Sequence, residues 1–288
     1  GQAIPVITLE QAVEAKPHIA LFSAGGSVSI EWAPKFAANG TIVIDNSSAW
    51  RMDPNVPLVV PEVNPEAVLP SHKIIANPNC STIQMVVALQ PLHQKFHLKR
   101  VVVSTYQSVT GTGQKAVQQL FDERAGVTPN RIYPHPIDLN ALPHIDVFMA
   151  DGYTKEEWKM MVETRKIMGL PNLKITATTV RIPTVGGHSE SINASFEKPI
   201  TVREIKEILS TIYKYVEINS PEAEEIRKNF LLVEYEAGSD SLDIQDHDIL
   251  INGSMIRINK VKTDDYINIY KAIEDLSLPV SALEVRKV

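Results

Sequence analysis

Along the first third of the chain, short apolar runs alternate with stretches whose apolar residues recur at helical spacing. His18–Ala24 (HIALFSA) is apolar and runs into Gly25-Gly26, after which Val28–Ala38 has helical spacing and closes at Asn39-Gly40. That pattern reads as strand, turn, helix. Thr41–Ile44 (TIVI), ending at Asp45, and Lys73–Ala76 (KIIA), ending before Asn77-Pro78, repeat the strand signal. Short strands alternating with helices predict a parallel α/β sheet, in which ligands sit beyond the carboxyl ends of the strands. Asp45–Arg51 and Asn77–Cys80 fall at such ends.

Further on, Ser81–Gln94 is apolar at helical spacing, and Arg100–Thr105 (RVVVST) is a strand leading into Gly111 and Gly113. Gln114–Glu123 reads as a helix. Tyr133–His144, rich in proline and in histidine and tyrosine rings, reads as a loop over a surface. Thr154–Met168 is a charged amphipathic helix opened by a Thr154-Lys-Glu-Glu157 capping box. Lys174–Val180 and Ser189–Glu197 are strand-like on either side of Gly186-Gly187, and Val202–Tyr213 is helical. Asp248–Asn259 reads as a hairpin turning at Asn252-Gly253, followed by a helix at Tyr266–Leu276.

At 288 residues the chain is long enough for two domains with a buried core. A formal charge of -6 argues against a nucleic-acid backbone or an anionic membrane as the main partner, so any anion site must be local. No apolar run approaches the roughly 20 residues of a membrane span, and the first residues lack the layout of a secretory signal, which points to a cytoplasmic protein. A single cysteine excludes intrachain disulfides and leaves Cys80 as either a buried small hydrophobe or a reactive thiol.

Asn77-Pro-Asn-Cys-Ser-Thr-Ile-Gln84 places that cysteine between a strand end and a helix start. Unpaired N–H groups and the helix dipole there favour the thiolate, the nucleophilic form, and offer donors to an oxyanion. The run resembles the nucleophile motif of the aspartate-β-semialdehyde dehydrogenase family. Further matches follow in that family's order: SAGGSVS at Ser23–Ser29, DNSSAWRMDPNVPLVVPEVN at Asp45–Asn64, STYQSVTGTG at Ser104–Gly113, YPHPIDLNALPHIDVF at Tyr133–Phe148, YTKEEWKMMVETRKIMG at Tyr153–Gly169 and RIPTVGGHSESI at Arg181–Ile192. The resemblance covers roughly His18 to Tyr215.

The resemblance implies an NADP-dependent enzyme that interconverts β-aspartyl phosphate with aspartate-β-semialdehyde and phosphate, early in lysine, methionine and threonine biosynthesis. Cys80 resembles the nucleophile that forms an acyl-thioester, His188 its acid/base partner, and Gln107 a residue orienting the thioester. A histidine titrates near neutrality, which suits that task. Arg181 would fork the substrate carboxylate. Arg51 and Lys159 would hold phosphate with a hydrogen bond from Asn79, and Glu156 would meet the substrate ammonium. Glu156 and Lys159 lie three apart and share a helix face. Taken singly, Arg51, Glu156 and Lys159 have the character of solvated surface charges, and His188 that of a turn residue.

Ser23, Ala24, Gly25 and Gly26, with Thr110 and Gly111, resemble the loops contacting the nicotinamide dinucleotide; glycines let backbone approach a cofactor. No metal is implied, and the family resemblance implies a homodimer. The expected fold class is α/β: an incomplete Rossmann-like nucleotide-binding domain over residues 1–78 and an α+β substrate and dimerisation domain over 79–233, with 234–288 unassigned. The nucleotide domain is called incomplete because no GxTGxxG-type turn precedes His18, and the family's C-terminal helix is not found after Val216. Two alternatives stay open: a reductase of another acyl phosphate or acyl-CoA, and a non-catalytic family remnant acting in binding or dimerisation.

Overall fold

A computed structural model of the chain describes residues 7–217, 232–234, 247–251 and 254–259. Contacts divide it into two units: Gly1–Tyr106 with Ala141–Arg181 and Glu190–Ser210, and Gln107–Asn140 with Ile182–Ser189 and Thr211–Val288.

The first unit begins with α1 (Leu9–Glu14), β1 (Ile19–Phe22), α2 (Gly26–Ala38), β2 (Ile42–Asp45) and β3 (Ile74–Ala76). The strands form the expected parallel sheet in the order β1–β2–β3. Phe22, Ala33, Phe36 and Val43 make a small core between α2 and the sheet. The carboxyl ends are stitched together: Asn46 N–H donates to Phe22 O and Asn77 N–H to Asp45 O, both at 2.8 Å, while Asn77 Nδ2 donates to Asn46 Oδ1 at 2.8 Å. The segments after all three strands therefore leave from one edge.

After β3 the chain enters α3 (Cys80–Phe96) and β4 (Leu98–Gln107), and later α5 (Lys155–Ile167), β5 (Lys174–Arg181), β6 (His188–Phe196) and α6 (Val202–Glu217). A second sheet has the order β5–β4–β6. Burial alternates along its strands: Val101, Val103 and Thr105 on β4, and Ile175, Ala177 and Thr179 on β5, are buried, as a sheet with one covered face requires. Met85, Val86 and Leu89 of α3 and Met160, Met161 and Ile167 of α5 belong to the same core as Val101, Val103, Ile175 and Ala177. The Thr154 box is present as expected: Thr154 Oγ1 accepts from Glu157 N–H at 3.3 Å and Glu157 Oε2 accepts from Thr154 N–H at 2.8 Å.

In the second unit α4 (Gln114–Arg124) follows a 3₁₀ turn at Val109–Thr112. The proline-rich stretch expected as a surface loop is irregular but anchored. Gln119 Oε1 accepts from the N–H groups of Ile132 at 2.6 Å and Tyr133 at 3.0 Å. Glu123 Oε2 accepts from Ile137 and Asp138, both at 2.8 Å, and Tyr133 and Ile137 are buried. Two buried or half-buried polar side chains of one helix thus supply acceptors that a segment broken by prolines cannot find in a ladder.

The expected hairpin is present as β8 (His247–Ile251) and β9 (Ser254–Asn259), paired antiparallel with Ile251 opposite Ser254. β7 (Leu232–Glu234), which sequence pattern missed, joins the other edge of β9. Asn252-Gly253 and the expected Tyr266–Leu276 helix lie outside the described residues.

Thr154→Ala removes a cap from the helix carrying Glu156, Lys159 and Glu163. It is expected to lower stability by about 1 kcal/mol, read as a drop in the urea unfolding midpoint; an unchanged midpoint would mean that the cap carries no weight.

Candidate active site

Cys80 is the first residue of α3, and Asn79 is its N-cap. Asn79 Oδ1 accepts from the N–H groups of Ser81 at 3.0 Å and Thr82 at 3.2 Å, while its Nδ2 donates to Glu156 Oε1 at 2.7 Å. Its own N–H donates to Glu163 Oε2 at 2.7 Å. Glu163 Oε1 in turn accepts from Arg51 Nη1 at 3.0 Å. Arg51 also donates to the main-chain carbonyls of Ser47 and Asn46, both at 3.1 Å. At the other end, Lys159 Nζ donates to Glu156 Oε2 at 3.2 Å and to Asp146 Oδ2 at 2.8 Å. A continuous polar chain, Arg51–Glu163–Asn79–Glu156–Lys159–Asp146, thus runs through the first unit and passes the N-terminus of α3.

The sequence brought Arg51, Asn79, Glu156 and Lys159 forward as separate contacts to substrate. The structure joins them to one another. It also adds Glu163, 1% exposed, which the sequence reading missed although its spacing from Glu156 and Lys159 on α5 puts it on their face. Burial pushes the Glu163 carboxyl up, while Arg51 and the Asn79 N–H pull it back. Burial opposes the charge on Lys159, and Glu156 and Asp146 outweigh it, so its ammonium is held more firmly than usual. Lys166, also missed, donates to the carbonyls of Arg51, Asp53 and Val56 at 2.7–3.0 Å and so pins the segment bearing Arg51.

The expectation of a stabilised thiolate is corrected. Cys80 is exposed, yet its surroundings desolvate the thiol and push it up, and the Glu156 carboxylate pushes the same way. The Ser81 main-chain N–H and Arg181 pull it down by less. The helix N-terminus is weakened as a thiolate site because Asn79 Oδ1 already takes two of its N–H groups. The resting group is the thiol, so nucleophilic attack needs a proton acceptor or a substrate charge that changes the local balance.

Arg181, 5% exposed, ends β5 on the covered side of the second sheet. Ser23, Ala24 and Gly25 are exposed between the end of β1 and the start of α2. Gly25 has φ 95°, and a Cβ there would meet nothing within 4 Å, so glycine is required by backbone conformation and the loop is open above. All of these residues belong to the first unit. Gln107, His188, Thr110 and Gly111 belong to the second. Gln107 is 1% exposed at the end of β4, His188 opens β6, and Thr110 and Gly111 lie in the exposed 3₁₀ turn. His188 Nδ1 accepts from Ser108 N–H at 3.1 Å.

A second carboxyl lies on β6. Burial pushes Glu190 up to about 8, against a hydrogen bond from Gln84 one helical turn beyond Cys80, and its buried Oε1 has no hydrogen-bond partner among the described residues. Among those residues no cluster of potential metal ligands occurs, and no helix is long and apolar enough to cross a membrane.

A parallel nucleotide-type sheet, and a second sheet on which a cysteine-headed helix packs, define a class: residues 2–70 match the NAD-binding domain of semialdehyde dehydrogenases and residues 89–240 their dimerisation domain. The aspartate-semialdehyde dehydrogenase of Aquifex aeolicus is 59% identical over 215 residues, 72% of this chain and 63% of that protein. That of Bacillus subtilis is 51% identical over 206 residues, 67% of this chain and 59% of that protein. The crystal structure of aspartate semialdehyde dehydrogenase II complexed with ASA, from Vibrio cholerae, has 34% sequence identity and a TM-score of 0.66, covering 90% of this chain and 80% of that one. The chain belongs to the aspartate-semialdehyde dehydrogenase family. It spans about 63% of the length of the Aquifex relative.

Glu156→Gln removes the charge that raises the Cys80 thiol, so alkylation by iodoacetamide is expected to reach half its maximal rate at a lower pH than in the native chain; an equal or higher midpoint counts against the contact. For Glu190 the sign is opposite to that of a salt-bridged carboxylate. The folded chain holds a proton that the unfolded chain releases, so this group's share of stability is intact below the unfolded carboxyl range and is lost as pH rises towards about 8. Glu190→Gln is therefore expected to raise Tm more at pH about 8 than at about 5, and equal changes at both would remove the argument.

Proposed function

We propose that this chain carries the catalytic machinery of an NADP-dependent aspartate-β-semialdehyde dehydrogenase, interconverting L-aspartate-β-semialdehyde plus phosphate with β-aspartyl phosphate. The observation that carries the reading is the single thiol at the head of α3, in a polar surround whose charges match an amino-acid acyl phosphate, in a chain 59% identical to a relative of that name.

The chemistry follows from the groups available. Cys80 Sγ adds to the aldehyde carbon, and His188 moves the proton between sulfur and the carbonyl oxygen. The nicotinamide dinucleotide, when bound, supplies the hydride acceptor. Cys80 then holds the acyl group as a thioester until phosphate displaces it, and Gln107, able both to donate and to accept, orients the thioester. Arg181 forks the α-carboxylate. Glu156 exchanges part of its hold on Lys159 for the substrate ammonium, which also withdraws the negative charge that keeps the thiol protonated. Lys159 and the outer N–H groups of Arg51 receive phosphate, with Asn79 adding a hydrogen bond when its amide is released from Glu156. The open Ser23–Gly26 loop at the end of a parallel strand suits a dinucleotide, with Thr110 and Gly111 as its second contact. The dimerisation-domain match supports a homodimer. Placement in the cytoplasm and in lysine, methionine and threonine biosynthesis belongs to the same reading.

The test is phosphate-dependent reduction of NADP by L-aspartate-β-semialdehyde. Cys80→Ser is expected to lose turnover while staying folded. Arg181→Lys is expected to raise KM by about 10-fold or more with a smaller effect on kcat, because a point charge replaces a two-pronged donor. Turnover of the Cys80 variant at the native rate would overturn the mechanism, and a folded chain without turnover would favour a binding or dimerisation role.

A further inference from the structure

Three hydrogen bonds meet around the turn that delivers His188. Ser108 N–H donates to His188 Nδ1 at 3.1 Å. Ser108 Oγ donates to Gly186 O at 2.7 Å, and Thr110 Oγ1 donates to the same carbonyl at 2.6 Å. The two hydroxyls also touch each other, so both of their protons have oxygen acceptors close by. Ser108 Oγ is farther from the ring, at 3.4 Å from Nδ1, so at that nitrogen the closer donor is the main-chain N–H. Ser108 is fully buried and has φ -65° and ψ 156°, directly after the end of β4. Gly186, with φ 123°, can take this turn only as glycine. The Ser108 side chain therefore fixes the turn, and its main chain fixes the ring.

We propose that Ser108 is a positioning residue for His188: its N–H holds Nδ1 as an acceptor and thereby sets the tautomer in which Nε2 carries the proton. A ring nitrogen that accepts a hydrogen bond has no proton of its own, so in neutral imidazole the proton sits on the other nitrogen. Protonating Nδ1 would set two N–H groups against each other, so the same contact disfavours the imidazolium. His188 then meets the carbonyl oxygen of a bound aldehyde as a neutral Nε2–H hydrogen-bond donor that steadies the developing oxyanion; it takes the thiol proton only after the ring proton has moved from Nε2 to Nδ1, so the Ser108 contact sets a cost on the base half of its role. The significance for catalysis rests on the function proposed above; the tautomer itself does not.

The backbone supplies a clean test. Proline fixes φ near the value Ser108 already has and favours an extended residue before it, which Gln107 at a strand end provides. Ser108→Pro therefore removes the N–H without backbone strain, and Ser108→Ala removes the hydroxyl while keeping the N–H. In the chain labelled with ¹⁵N-histidine, the His188→Asn spectrum identifies its signals among the eight histidines. Neutral His188 is expected as the Nε2–H tautomer in the native chain and in Ser108→Ala. In Ser108→Pro the Nδ1–H form should appear and the protonation constant should rise by about tenfold. An Nδ1–H tautomer in the native chain overturns the proposal even if the proline variant fails to fold. So does a proline variant that titrates like the native chain, or an alanine variant that shifts as far as the proline one. If turnover is present, the acidic limb of kcat against pH moves up in Ser108→Pro only. If turnover is absent while the spectra behave as expected, the function proposed above fails and the tautomer assignment stands.

Discussion

Everything near the thiol depends on how the Glu163 carboxylate is satisfied. A carboxylate 1% exposed is costly unless both oxygens find donors. It takes one from Arg51, on the segment after β2, and one from the main chain of Asn79, the residue before Cys80. One side chain on α5 thus ties the carboxyl edge of the parallel sheet to the start of α3. Through Asn79, whose amide is shared between the helix cap and Glu156, it also sets the charge beside Cys80. Removing any single member leaves a buried partner unsatisfied, which makes the set behave as a unit.

That arrangement explains why the thiol rests protonated. A helix N-terminus ordinarily favours a thiolate, but here desolvation works against the charge, the first N–H groups serve the cap, and the formal charge that weighs most, that of Glu156, is negative. A substrate bringing an ammonium to Glu156 and a carboxylate to Arg181 would rearrange the charges. Reactivity would then be coupled to occupancy, and an unreactive resting thiol is protected from the oxidation to which a low-pKa, exposed cysteine is liable.

Much of the fold was legible because hydrophobic period reports local structure directly. The strands at Ile19–Phe22, Ile42–Asp45 and Ile74–Ala76, the capping box at Thr154 and the hairpin at 247–259 all carry their signal within a few residues. The anchoring of Tyr133 and Ile137 was not legible, because the acceptors come from Gln119 and Glu123, a helix away.

The candidate residues themselves, from Cys80 to His188, could be named from local motifs and their order along the chain. Their partners could not. Arg51 and Glu163 are 112 positions apart and Ser108 and His188 are 80 apart, and no periodic pattern spans such distances. The sequence by itself determined most of the elements and which side chains are candidates for the chemistry, since helix period, strand alternation and caps act over a few residues. Only the tertiary structure decided that four of the five charged and polar substrate candidates are wired together, that the thiol is pushed up and not down, and which nitrogen of His188 is engaged. Those outcomes depend on desolvation and on distances between groups that folding alone brings together.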